Sequence, residues 1–181
     1  IQTFAPGHVL DSRDVTPQNR LPLRRWFQPA WRDPATMPTT PFDPAALAGA
    51  LEAAVHRQLM CDVPYGVLIS GGVDSSLIAA LAAKYASKRI ESGDQEPAWW
   101  PQLHSFSCGL AGAPDFGPAR DVAKHIGSVH HEVVFTVQEG LDALRDAIWH
   151  LETFDVTTIR AGTPMYLMMR RIRSMGIKMV L

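Results

Sequence analysis

Only two cysteines, Cys61 and Cys108, stand among 181 residues. That is too few for a disulfide framework or a cysteine-built metal cluster, and it fits a reducing cytosol. Charge of either sign is not in excess: 17 Lys and Arg face 18 Asp and Glu, a formal charge of -1. Such a balance speaks against a nucleic-acid or membrane surface. No run reaches the roughly 18 apolar residues of a membrane span, and the first ten residues, IQTFAPGHVL, lack the basic-then-apolar layout of a secretion signal. A cytoplasmic protein is expected. Neither G-x-x-x-x-G-K-S/T nor G-x-G-x-x-G occurs, so the lysine loop that grips a terminal phosphate and the dinucleotide fingerprint are both absent. An initiating Met is missing, and Leu181 sits inside the apolar run IKMVL. Both ends read as internal to a longer polypeptide.

What is present is a chain that is 46% hydrophobic, enough for one domain with a proper core. Residues 1–42 are rich in proline and without periodicity, and read as extended linker or peripheral structure. Asp43 as N-cap and Pro44 in the first turn open a helix whose Leu47, Leu51, Val55 and Leu59 recur every four residues, a buried face. Thereafter strand and helix signals alternate. VPYGVLIS, LHSFSCGL, HHEVVFT and IKMVL read as strands. VDSSLIAALAAKYASKRI, PARDVAKHIG, VQEGLDALRDAIWHLE and PMYLMMRRIRSMG read as helices between and after them. This pattern predicts an α/β fold, a parallel sheet with helices on both faces.

SGGVDSS, residues 70–76, joins the first strand to its helix. In open α/β sheets, ligands sit beyond the carboxyl ends of the strands, where helix N-termini offer unpaired N–H groups. Gly71 and Gly72 allow a sharp turn and close approach to a ligand. Ser70, Ser75 and Ser76 add hydroxyl donors, and the helix dipole adds partial positive charge. The sum suits a polyanion, above all a phosphate chain. Asp74 repels phosphate unless a divalent cation stands between, and Mg²⁺ is the usual bridge. The plainer reading is a glycine turn with serine and aspartate as ordinary caps, and the full motif between a buried strand and a helix weighs against it.

SGGVDSS resembles the pyrophosphate loop of the ATP pyrophosphatases, which adenylylate an acid or carbonyl and release pyrophosphate. The blocks LMCDVPYGVLISGGVDSS, WWPQLHSFSCGL, VHHEVVFTVQEGLDALRDAIWHLETFDVTTIRAGTPMYLM and GIKMVL are together similar to the synthetase domain of glutamine-dependent asparagine synthetases. FAPGHVL resembles the segment by which that family leaves its N-terminal glutaminase domain. The resemblance implies the following. The fold is adenine nucleotide alpha-hydrolase-like, a Rossmann-like sheet, here incomplete. Residues 1–42 are linker and the end of the glutaminase domain, and residues 43–181 are the N-terminal part of the synthetase domain. ATP touches the backbone at Leu68 and Cys108, its pyrophosphate lies on the loop Ser70, Gly71, Gly72, Asp74, Ser75 and Ser76, and Asp74 helps to place Mg²⁺. Thr157 and Arg160 handle the aspartyl-AMP intermediate and the departing pyrophosphate. Aspartate and ammonia drawn from glutamine are the other substrates, the partners include neither nucleic acid nor membrane, and a homodimer is compatible. The 181-residue chain alone is expected to be inactive. Gly162 stands where the family pattern has Ser, and Cys108 where Val or Ile is usual.

Two other functions are kept: a β-lactam synthetase or other amidotransferase of the same superfamily, against which TTIRA and WWPQLHSF count, and an ATP-binding fragment without chemistry. At the residue level, Arg160 is otherwise an ion-pair partner of Asp155 or Glu152. His130 and His131, adjacent on a strand, point to opposite faces and do not make a metal site. The methionines at 165, 168, 169 and 175 read as helix packing, and Trp99-Trp100 as loop packing.

Overall fold

The computed structural model describes residues 4–37, 39 and 41–181. Of the segment read as linker, residues 1–3, 38 and 40 therefore lie outside the described residues. The chain divides into two compact units at Pro44/Ala45. The first is less featureless than its prolines suggest. β1 (His8–Val9) pairs antiparallel with β2 (Arg24–Arg25), and three short 3-10 turns follow the chain at Ser12–Asp14, Ala30–Arg32 and Pro34–Thr36. Asp11 and Asp33 each accept a backbone N–H at the start of such a turn, the bond that aspartate makes best in short turns.

The second unit alternates as the sequence predicts. Its elements are α1 (Pro44–Gln58), β3 (Tyr65–Leu68), α2 (Val73–Tyr85), β4 (His104–Gly109), α3 (Phe116–Ile126), β5 (Val129–Val134), α4 (Val137–Leu151), α5 (Val156–Ser174) and β6 (Met179–Val180). The four strands form one parallel sheet in the order β5-β4-β3-β6. The chain moves outward from β3 to β5 on one side and then returns to place β6 on the other. The order thus reverses at β3, a topological switch point.

Both faces are covered. Val67 of β3 and Ile69 just after it pack with Ala79, Ala82, Ala119 and Ala123 of α2 and α3 on one face. Phe106 of β4 packs with Met168 and Ile172 of α5 on the other. Small alanines let α2 and α3 sit close to the sheet. Met168 is buried, and Met169 and Met175 pack beside it, so three of the four methionines serve packing while Met165 is exposed. Among the described residues no helix is long and apolar enough to cross a membrane.

Three readings need correction. The buried face of α1 holds only at its C-terminal end: Val55 and Leu59 are buried, but Leu47 is 58% exposed. The core cluster takes in α1 only from Leu51 onward. Helix α5 begins at Val156, not Pro164, so it runs straight through the proline. Asp155 supplies the start, its carboxylate accepting from Thr158 N and Thr158 Oγ1, both at 2.7 Å. An aspartate cap of this kind is worth about 1 kcal/mol, and burial of Thr163, Met168 and Ile172 adds the rest. Trp99 and Trp100 are also more exposed than loop packing implies, at 54% and 45%. Trp99 carries the Arg89 guanidinium 3.9 Å from its ring centroid.

Candidate active site

The loop 70–76 leaves β3 at its carboxyl end, at the switch point, and enters α2 at Val73. The cap residue, Gly72, has no side chain, and among the described residues no side chain caps this helix in its place. The first intrahelical bond runs from Ser76 N to Gly72 O at 3.0 Å. The N–H groups of Val73, Asp74 and Ser75 in the first turn thus have no intrahelical acceptor. They face out with the positive end of the helix dipole.

The two glycines have different jobs. Gly71 has φ +78°, the left-handed region. A Cβ there would collide with Pro118 Cβ and lie 2.8 Å from Pro118 C, in the first turn of α3. The side of Gly71 without a side chain is therefore filled by protein. Gly72 has an ordinary φ of -72°, and a Cβ there would meet only Ser70 Oγ, at 3.3 Å. Of the two glycines, Gly72 is the one with open space beside it.

The hydroxyls are committed as well. Ser75 Oγ accepts from Ser70 N at 3.2 Å, lies 3.1 Å from Ser70 Oγ and donates to Gly72 O at 3.2 Å. Ser76 Oγ donates to Gly72 O at 2.7 Å. Serines read as donors toward a ligand instead close the loop on itself. This leaves the backbone N–H groups as its outward-facing donors. Asp74 is exposed in the first turn of α2. Among the described residues no three His, Cys, Asp or Glu side chains gather as a metal centre. A single carboxylate beside unpaired backbone N–H groups that suit a phosphate nevertheless fits Mg²⁺, which usually takes one or two carboxylates and completes its shell with phosphate oxygens and water.

Leu68 and Cys108 sit on neighbouring strands, β3 and β4, with Cys108 packed toward the α5 face. Leu68 N already donates to Leu181 O at 2.7 Å. Burial pushes the Cys108 thiol above its usual range, away from the thiolate. A nucleophilic role for it is disfavoured.

Thr157 and Arg160 are exposed in the first turns of α5. Lys178 N, just beyond that helix, bonds to Pro64 O, just before β3. Helix α5 therefore runs opposite to the strands, and its start lies toward their carboxyl ends. Arg160 precedes Met168 by eight residues, about 12 Å of helix, and Met168 packs on Phe106, three residues or about 10 Å before the end of β4. That brings Arg160 level with the end of the sheet where the loop stands. Neither side chain bonds to the loop among the described residues. Among the described residues Arg160 forms no ion pair with Asp155 or Glu152 either, and Asp155 instead accepts from Thr158. A Cβ at Gly162 would lie 2.6 Å from Leu151 Cδ1, so serine there asks only that the tip of Leu151 move.

His130 and His131 do point to opposite faces. His130 lies between two serines, Nδ1 2.9 Å from Ser105 Oγ and Nε2 3.1 Å from Ser107 Oγ. His131 Nε2 lies 2.9 Å from His104 Nδ1, its ring stacked on His104 and Phe106. Two site-shaping residues escape a reading by motif: Asp155, for which D-x-x-T before an apolar stretch is a signal, and Pro118, for which the sequence carries none.

The family described as asparagine synthase matches residues 46–181. The chain is 54% identical over 181 residues to asparagine synthetase B (glutamine-hydrolyzing) of Escherichia coli (strain K12), covering 100% of this chain and 32% of that protein. It is 49% identical over 200 residues to asparagine synthetase (glutamine-hydrolyzing) 1 of Saccharomyces cerevisiae, covering 100% of this chain and 34% of that one. The chain thus spans about a third of the length of these curated relatives. Among solved structures, an NAD+ synthetase from Burkholderia pseudomallei aligns with a TM-score of 0.48 at 18% identity, over 77% of this chain and 52% of that chain.

Proposed function

This chain belongs to the asparagine synthase family, and from that premise we propose that its second unit is the ATP-activating part of an enzyme that converts aspartate to asparagine. The observation that carries the reading is the uncapped N-terminus of α2, placed at the switch point of a parallel sheet behind S-G-G-x-D-S-S. In this reading the β- and γ-phosphates of ATP lie over Gly72 and the N–H groups of Val73, Asp74 and Ser75. Adenine reaches the strand ends at Leu68 and Cys108. At Leu68 the N–H is spent inside the sheet, so recognition there falls to the carbonyl.

The side-chain carboxylate of the substrate aspartate attacks the α-phosphorus of ATP. The bond to the β-phosphate oxygen breaks, and aspartyl-AMP and pyrophosphate result. Negative charge grows on the departing pyrophosphate, and the Arg160 guanidinium meets it with a planar pair of N–H donors, which lysine cannot offer. Thr157, one turn earlier on the same helix, holds the acyl adenylate through its hydroxyl. Ammonia, drawn from glutamine by a glutaminase domain in the complete enzyme, then attacks the acyl carbon and expels AMP. Asp74 would hold Mg²⁺, which when bound screens the phosphate charge from the carboxylate and polarises the phosphoryl oxygens.

The test is exchange of labelled pyrophosphate into ATP by the complete protein. Exchange that requires aspartate supports the reading. Exchange driven by a different carboxylic acid, and not by aspartate, would replace it with another amidotransferase of the superfamily. ATP binding with no exchange would reduce the site to a nucleotide-binding one.

A further inference from the structure

We propose that Pro118, on α3, is a positioning residue for the phosphate loop. This rests on the reading of that loop given above. The contact is between elements that the chain does not join directly: Gly71 follows β3, and Pro118 belongs to the helix after β4. Gly71 is held at φ +78° with its bare face against Pro118, where a Cβ would lie 2.8 Å from Pro118 C and 3.0 Å from Ala119 N. A left-handed glycine is free to leave that conformation unless something occupies the space it would sweep. Pro118 occupies it.

Pro118 is suited to be a wall. The atoms that meet Gly71 are its Cβ and carbonyl carbon with Ala119 N, none of which has a rotamer to yield, and in the first turn of a helix its missing N–H costs nothing. The turn that carries it is fixed from beneath: Phe116 is 4% exposed and Ala119 fully buried. Gly109 lies so close under it that a Cβ there would fall 2.8 Å from Ala113 Cβ and 3.3 Å from Phe116 Cζ. The loop is also closed on itself by Ser75, bonded to Ser70 and Gly72. The peptides of residues 70–72 are thus held by a hydroxyl clip and a proline wall, with the N–H groups of the α2 first turn aimed before any nucleotide arrives. Preorganisation of this kind lets donors meet growing charge without reorganising.

Gly117 gives the control. A Cβ there would find nothing within 4 Å, so Gly117→Ala leaves the site untouched. The double change Gly117→Ala/Pro118→Gly takes away the Cβ that stands nearest Gly71, leaving the backbone of the turn in place, while keeping helix propensity there, which guards against simple misfolding. Pro118→Ala keeps the Cβ and carbonyl carbon that meet Gly71. In the complete enzyme, kcat/KM for ATP and the Kd for inorganic pyrophosphate with Mg²⁺ should each worsen roughly tenfold in the double variant. KM for aspartate and Tm should match those of Gly117→Ala, and Pro118→Ala should recover most of the loss. Unchanged ATP and pyrophosphate values, or equal losses for both substrates with a fall in Tm, would overturn the proposal. A wild-type protein that binds pyrophosphate but forms no AMP from aspartate would sink the substrate assignment alone, and pyrophosphate binding would still decide the role of Pro118. A wild-type protein that binds no pyrophosphate would overturn both.

Discussion

Arg160 and Asp74 carry opposite charges, and the proposed function gives them different work. Arg160 is exposed, without an ion-pair partner among the described residues, on a helix start level with the loop 70–76. If it clamps pyrophosphate, Arg160→Lys retains the charge and loses the planar fork. A charge-assisted hydrogen bond contributes about 1.5–3 kcal/mol, so turnover should fall roughly tenfold or more. Wild-type turnover of the lysine variant, in steady-state AMP formation by the complete protein, would leave Arg160 a solubilising surface residue. Asp74→Asn should raise the Mg²⁺ concentration needed for half-maximal rate, with the ATP dependence at saturating Mg²⁺ changing less. A superimposable Mg²⁺ titration would remove its metal role. The glycines carry the lesson at this scale. S-G-G advertises a turn, but only the φ of Gly71 and the position of Pro118 tell which glycine faces protein and which faces solvent.

Helix α4 shows what a short motif can settle. Thr136 Oγ1 accepts from Glu139 N at 3.1 Å, and the Glu139 carboxylate accepts from Thr136 N at 2.7 Å, a complete capping box. The bonds to Thr136 hold the Glu139 carboxyl below its usual range. Thr136→Ala should cost about 1 kcal/mol, measured as an earlier denaturation midpoint. An unchanged midpoint would mean that packing against α5 alone holds the helix. The elements of the sheet were legible because their apolar runs are short, continuous and separated by turn residues. The start of α5 was not, because Pro164 looks like a first-turn proline and Gly162 like a breaker. Their local cost is outweighed by the Asp155 cap and by burial further along. A helix that began at Pro164 would leave Thr157 and Arg160 outside any regular element, whereas α5 gives them a fixed spacing and a direction toward the strand ends. The α1 pattern erred the other way, since periodicity records which residues could share a face but not how far the neighbouring core extends.

Across the second unit, buried polar groups link the sheet to pH. Among the described residues no buried side-chain nitrogen or oxygen lacks a partner. That economy depends on neutral histidines. His130 faces Ser105, Ser107, Glu132 and Arg120 on the α3 side, and burial lowers its pKa below the usual histidine value. His131 faces His104 and Phe106 on the α5 side with Arg171 nearby, and burial lowers it too. An unfolded histidine takes its proton at about pH 6.5. Below that value the unfolded chain binds more protons than the folded one, so stability falls as pH falls until the folded histidines also protonate. Glu132 runs on another schedule. Its carboxyl is held low by the Arg120 guanidinium, through a bond from Nη2 at 3.0 Å and a second from Nε, so its stabilising part is present above about pH 4.3, the unfolded value. It is lost only as pH falls further, through its lower folded value. Between about pH 7 and about pH 5 the histidines therefore set the slope. Amide exchange of β4 and β5 in the complete protein, corrected for intrinsic rates, should show protection declining over that interval. The decline should flatten in His130→Gln/His131→Gln, although the double variant is less protected at neutral pH. Constant protection in the wild-type protein, or an equal decline in the variant, would place the acid sensitivity of the sheet elsewhere.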